Sequence, residues 1–143
     1  MEPVAQRYLD FLAAHHQGVV VTLKRDGRPQ LSNVVYGFDA ATGRVRVSVT
    51  ADRAKTRNAA RDPRVSLHVS TKDFWSYVVA DGDAALTAVA ADPHDSAVED
   101  LVDLYRSLSG EHPDWDDFRA AMIRERRQVL SFTVTHAYGQ VPG

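Results

Sequence analysis

The sequence contains no cysteine. That absence excludes disulfide cross-links, thiol nucleophiles and cysteine-ligated zinc. It also lacks a long hydrophobic run: no stretch approaches the roughly 20 apolar residues that a membrane span needs. The N-terminus has no apolar segment behind a basic start, so it does not read as a signal peptide. Charge of one sign is not in excess either, with 17 Lys and Arg against 19 Asp and Glu and a formal net charge of -2. No global field then draws the chain to nucleic acid or to a membrane surface, and any anion site must be a local cluster of bases. Gly-x-Gly-x-x-Gly and Walker loops are absent, and so is a Gly-x-Ser-x-Gly elbow. The six histidines follow no metal-ligand spacing: His15 and His16 are adjacent, while His68, His94, His112 and His136 are scattered. The expected setting is soluble and cytoplasmic.

What is present is an ordinary globular composition, 44% hydrophobic and 25% charged over 143 residues, which suits one domain spanning 1–143 with a core of its own. Helical spacing of Val4, Tyr8, Phe11 and Leu12 predicts a helix from Pro3 to His16, ended by Gly18. A β-branched run predicts a strand from Val19 to Leu23, and Asp26-Gly27 a hairpin turn into a strand from Pro29 to Phe38. Val45, Val47 and Val49 alternate with polar residues, the mark of a half-buried strand, and the three strands read as an antiparallel meander. Asp52 to Arg61 reads as a short basic helix capped by Asp52 and stopped by Asp62-Pro63. Val65, Leu67 and Val69 alternate again, and a long strand from Trp75 to Leu86 is expected to bend at Gly82. Helices follow from Pro93 to Ser109 and from near Asp114, and a strand from Val129 to Tyr138 closes the chain. Asp114, Asp116 and Asp117 read as helix-start acids. The fold class is α+β, with about six antiparallel strands and peripheral helices; closure into a barrel would remove the exposed edges.

Three segments stand out chemically. In Arg53-Ala54-Lys55-Thr56-Arg57-Asn58 with Arg61-Asp62-Pro63-Arg64, cations gather at a helix start that follows a strand. A helix N-terminus offers free N–H groups and partial positive charge, so Arg53, Lys55 and the Thr56 hydroxyl make a candidate phosphate site; the alternative is a solvated basic face. In Gly27 to Val34, small polar residues open a strand. Gln30, Ser32, Val34 and Tyr36 share one face, and Leu31, Asn33 and Val35 the other; such polar residues either satisfy backbone or face a ligand. In Phe74-Trp75-Ser76-Tyr77, the aromatics suit a core or an interface, and they can also stack on a flat ring.

Together these segments resemble the pyridoxamine-phosphate-oxidase-like split-barrel superfamily, and within it the actinobacterial flavin/deazaflavin oxidoreductases that use coenzyme F420. Leu104-Tyr105-Arg106, Gly110-Glu111-His112 and Asp114-Trp115-Asp116-Asp117 are similar to the same subgroup. The resemblance implies an antiparallel FMN-binding-type split β-barrel that forms a homodimer with two cofactor sites at the subunit interface. Arg53, Lys55 and Thr56 would hold the cofactor phosphate. Asn33 and Val34 would lie beside the ring, Ser48, Val49 and Thr50 along the ribityl chain, and Trp75 and Tyr77 would come from the partner subunit. Lys24, Arg25, Arg28 and Arg57 are candidates for an anionic tail. The implied reaction is hydride transfer from reduced F420 to an electron-poor conjugated acceptor such as an enone, quinone or tetrapyrrole. No obligatory catalytic side chain is expected, and solvent, Tyr77 or His136 could supply a proton. The alternatives are an FMN-dependent oxidase or reductase on the same fold, and a non-catalytic F420 or haem carrier.

Overall fold

The structure is a computed structural model that describes residues 3–142. Its elements are α1 (Gln6–Ala13), β1 (Gln17–Leu23), β2 (Pro29–Val35), β3 (Gly37–Asp39), β4 (Arg44–Thr50), α2 (Ala54–Arg61), β5 (Arg64–Ser70), β6 (Tyr77–Asp83), β7 (Ala85–Leu86), α3 (Ser96–Ser109), α4 (Trp115–Arg124), β8 (Arg127–Thr133) and β9 (His136–Gln140). The strands form a five-stranded sheet in the order β2-β1-β5-β6-β9 and a four-stranded sheet in the order β3-β4-β8-β7. Every ladder is antiparallel. Among the described residues no ladder joins the two sheets, so the barrel is split rather than closed.

The expected strand count was too low for one reason. Three stretches that read as single strands each cross from the five-stranded sheet to the four-stranded one or back. The chain leaves β2 at Tyr36 and enters β3, leaves β6 at Ala84 and enters β7, and leaves β8 at Val134 and Thr135 to reach β9. The meander therefore does not form: β1 pairs with β2 and β3 with β4, in different sheets. Tyr36 is fully buried at its crossing, where its phenol donates to the Leu12 carbonyl at 2.7 Å. Burial raises the Tyr36 pKa, so the phenol stays a donor. The expected bend at Gly82 falls two residues later. Gly82 serves another purpose: a Cβ there would lie 2.5 Å from the Thr133 carbonyl oxygen, so its bare backbone lets β6 of one sheet press against the end of β8 in the other.

Inward side chains of both sheets make the main core, with Val20, Val45, Val47, Val49, Leu67, Val69, Val78, Leu130 and Phe132 all close to fully buried. Burying each such side chain contributes about 1.5–3 kcal/mol. Helix α1 seals the barrel with Phe11 and Leu12. It stops at Ala13, and Gly18 lies in β1 instead of capping the helix. There a Cβ would approach the His68 carbonyl oxygen to 2.8 Å, so glycine permits close strand pairing. Helix α2 buries Thr56, Asn58 and Ala59. Asn58 Nδ2 donates to Thr22 Oγ1 at 3.2 Å and to Gln30 Oε1 at 2.9 Å, so Gln30 anchors α2 rather than a ligand. Asp52 does not cap this helix. Arg53 occupies the cap position and no side chain there accepts a helix N–H.

Helices α3 and α4 cover the outer face of the four-stranded sheet through Val98, Leu101, Val102, Phe118 and Val129. Helix α3 starts at Ser96 rather than Pro93 because Asp95 accepts from the Val98 N–H at 2.8 Å and also holds the preceding turn. Asp114 caps α4 by accepting from Asp117 N at 3.1 Å. Arg46 of β4 ties α3 down, reaching Asp100 at 2.7 Å and Asp103 at 2.8 Å. Burial alone would lower the Arg46 pKa, but these carboxylates raise it on balance. Among the described residues no helix is long and apolar enough to cross a membrane.

Candidate functional site

Strand β3 is short and pairs with β4 only over Arg44, Arg46 and the residue between them. Beyond Arg46 that edge of β4 has no strand beside it. Strand β2 is likewise an edge strand, paired only with β1. These two uncovered edges, one from each sheet, flank a cavity of about 580 Å³. Its floor is Asn33, Val34 and Val35 from β2 and Val47 to Thr50 from β4. Val47 and Val49 put their side chains into the barrel core, so the cavity meets them along their backbone.

One end of the cavity is cationic. Arg53 and Lys55 come from the start of α2, where the helix leaves its first N–H groups free. Neither side chain forms an ion pair among the described residues. Burial, helped by the positive charges of Arg53 and Arg127, lowers the Lys55 pKa. Beside them Thr50 Oγ1 is a buried side-chain oxygen with no hydrogen-bond partner, singular in this among the described residues. Two unpaired cations, free helix N–H groups and an orphaned hydroxyl make a donor set suited to a phosphate. The opposite wall is apolar: Leu101, Leu104, Tyr105 and Leu108 of α3, then Phe118 and Met122 of α4.

Of the residues expected from the sequence, Asn33, Val34, Ser48, Val49, Thr50, Arg53 and Lys55 line this one cavity. Thr56 does not. Its hydroxyl is buried and donates to the Thr50 carbonyl at 2.8 Å, so it fixes the turn between β4 and α2 instead of facing the cavity. Trp75 and Tyr77 also lie outside the cavity. Trp75 is 75% exposed at a loop tip, and Tyr77 stacks on His68 on the outer face of the five-stranded sheet. His136 is on that face too, 3.2 Å from Asp81. Lys24 and Arg25 line a separate hollow with Arg61 and Arg64, and Arg57 donates to the Asp52 carbonyl. Sequence reasoning missed the helical wall, whose apolar face reads as ordinary core, and Arg127, which lies far along the chain from the basic run.

An antiparallel barrel split between two sheets, with a cavity in the split that is cationic at one end, defines the split-barrel class of fold. The chain belongs to the pyridoxamine 5'-phosphate oxidase family, whose pattern matches residues 4–140. Solved structures share the fold. A conserved hypothetical protein of Mycobacterium tuberculosis, Rv2991, is 19% identical with a TM-score of 0.74, over 100% of this chain and 91% of that one. A protein described as an F420 reductase is 21% identical with a TM-score of 0.66, over 92% and 95%. A pyridoxamine 5'-phosphate oxidase-related, FMN-binding protein of Nostoc punctiforme is 14% identical with a TM-score of 0.59, over 92% and 77%.

Proposed function

We propose that this protein is an F420-dependent oxidoreductase that works as a homodimer and passes a hydride to an electron-poor conjugated acceptor. The observation that carries the reading is the cavity in the split, which joins a cationic end, two strand edges and an apolar wall. Arg53, Lys55 and the free N–H groups of α2 hold the cofactor phosphate. Thr50, Val49 and Ser48 run along the ribityl chain, and Asn33 and Val34 position the ring. Thr56 acts through Thr50, by holding its carbonyl. The apolar α3–α4 wall excludes water from the opposite side. When bound, the reduced deazaflavin supplies hydride chemistry, and the chain's contribution is to bind, orient and shield. No side chain is assigned a proton.

The homodimer rests on the bare outer face of the five-stranded sheet, which exposes Leu31, Val35 and Tyr138, with Phe74 and Trp75 projecting beside it. A second copy covers this face, and Trp75 and Tyr77 of the partner subunit complete the site. Light scattering at micromolar concentration should return a dimer mass; a monomer would overturn the shared site. The FMN-dependent reading stays second, favoured by the FMN-binding relative of Nostoc punctiforme. The sequence has no Gly-rich dinucleotide loop to seat a nicotinamide that would reload a bound flavin, which favours an exchangeable deazaflavin. The test supplies reduced F420 with a menadione-like quinone or a conjugated enone, and in parallel FMN with NADPH. Turnover in the first mixture supports F420 dependence. Turnover only in the second moves the protein to FMN, and binding without turnover in either makes it a carrier.

A further inference from the structure

The basic run that marks the phosphate end ends at Arg64, yet the cavity contains another cation, Arg127, the first residue of β8. It stands opposite Thr50 in the β4–β8 register, beside the orphaned hydroxyl. Its Nη1 lies 3.4 Å from Ser48 Oγ. The backbone before it is held in an unusual state: Arg126 has φ 54, a left-handed conformation that is strained for a non-glycine residue. Two hydrogen bonds hold Arg126 there. Its N–H donates to the Ile123 carbonyl at 3.0 Å, and its own carbonyl accepts from Ala51 N at 3.0 Å. Ala51 lies two residues before Arg53, so one backbone contact ties the strand carrying Arg127 to the loop carrying the other cations. Among the described residues Glu125 is the one carboxylate paired with any of the three, accepting from Arg127 Nη2 at 2.9 Å. The cluster keeps a surplus of positive charge that its own fold does not neutralise.

We propose that Arg127 is a third cation of the phosphate end, and that Glu125 holds it in place and moderates its charge. The inference rests on the reading of a phosphate-bearing cofactor in this cavity, but it concerns a residue that this reading did not use. The mutual repulsion of Arg53, Lys55 and Arg127 is relieved when an anion enters, so binding should discriminate strongly between ligands with and without a phosphate.

The test compares two ligand pairs, followed by fluorescence: FMN against riboflavin, which differ in the phosphate alone, and F420 against its ribityl deazaflavin, which lacks the phosphate together with the anionic tail it carries. In Arg127→Gln, with the melting temperature checked against wild type, affinity for the phosphate-bearing member falls about tenfold and affinity for its phosphate-free partner is unchanged. Arg127→Lys recovers part of the loss. Glu125→Gln moves the other way and tightens the phosphate-bearing ligand. Equal losses for both members of a pair, or none for either, overturn the role of Arg127 and leave the cofactor reading standing. A wild-type protein that binds none of the four ligands overturns the cofactor reading and this inference with it.

Discussion

The two sheets of the barrel bury the same kind of inner face and differ in their outer one. The four-stranded sheet is roofed by its own chain: α3 and α4 lie across β4 and β8, and Arg46 pins the roof through Asp100 and Asp103. The five-stranded sheet has no such cover. Leu31 is 61% exposed, Val35 55% and Tyr138 48%. At its border the loop from Thr71 to Ser76 holds Phe74 and Trp75 out at 80% and 75% exposure. That loop is wired for the purpose. Thr71 N donates to the Ser76 carbonyl, Asp73 accepts from both the Thr71 hydroxyl and Trp75 N, and Phe74 sits at φ 66. One cover is encoded further along the chain, and the other, on the proposed reading, is a second copy.

The sharpest way to break this comparison is on the roofed side. Leu101→Ala, at a position 2% exposed and shared between the roof and the cavity wall, should lower unfolding free energy by about 2–5 kcal/mol in chemical denaturation. Next comes the seam between the sheets. Lys55→Ala should cost the phosphate-bearing cofactor about 1.5–3 kcal/mol, ten- to a hundredfold in a binding titration, with little change in folding. The same lysine sets a pH dependence. Its pKa in the folded protein is lowered by burial and by Arg53 and Arg127, so the ligand-free protein gains stability as pH rises through that lowered value towards 10.5. On the proposed reading cofactor binding needs the charged form, so affinity should fall over the same window, and Lys55→Arg should abolish the fall. On the open side, Phe74→Gly relieves the left-handed backbone and should stabilise the protomer by up to about 1 kcal/mol while weakening the proposed dimer, a split visible by comparing melts at two protein concentrations. The smallest folding effect belongs to Leu31→Lys, within about 0.5 kcal/mol for the protomer. Its light-scattering mass should nonetheless drop to that of a monomer, because a cation placed on each copy repels its mate.

Much of the barrel was legible because alternation reports burial directly, as in Val45, Val47 and Val49 or Val65, Leu67 and Val69. The cationic end of the cavity was legible because cations at a helix start have a local signature. The crossings were not. At Tyr36 the inward-facing series Gln30, Ser32, Val34 continues unbroken in parity, so nothing local announces that the next residue belongs to the other sheet. Thr56 misled because a hydroxyl beside two cations reads as a ligand donor, whereas the nearest acceptor was the carbonyl of the strand it follows. Arg127 was hidden because it lies far along the chain from the basic run, and only the β4–β8 pairing brings it to Thr50. The same pairing problem concealed the helical wall: an amphipathic face says that something is covered, and the tertiary fold decides whether that something is a core or a cavity.

The split itself has a cost beyond the site it frames. An unpaired strand edge is a template on which another chain can add, and this molecule carries two of them facing one hollow, along β2 and along β4 past Arg46. A ligand seated there screens both edges at once. Any such ligand at a hundred times its dissociation constant also adds about 2.7 kcal/mol to the folded state. Shelf life would then be set by the occupant: preparations stripped of cofactor should cloud and form thioflavin-positive material sooner than loaded ones, at equal concentration and well below their melting temperature.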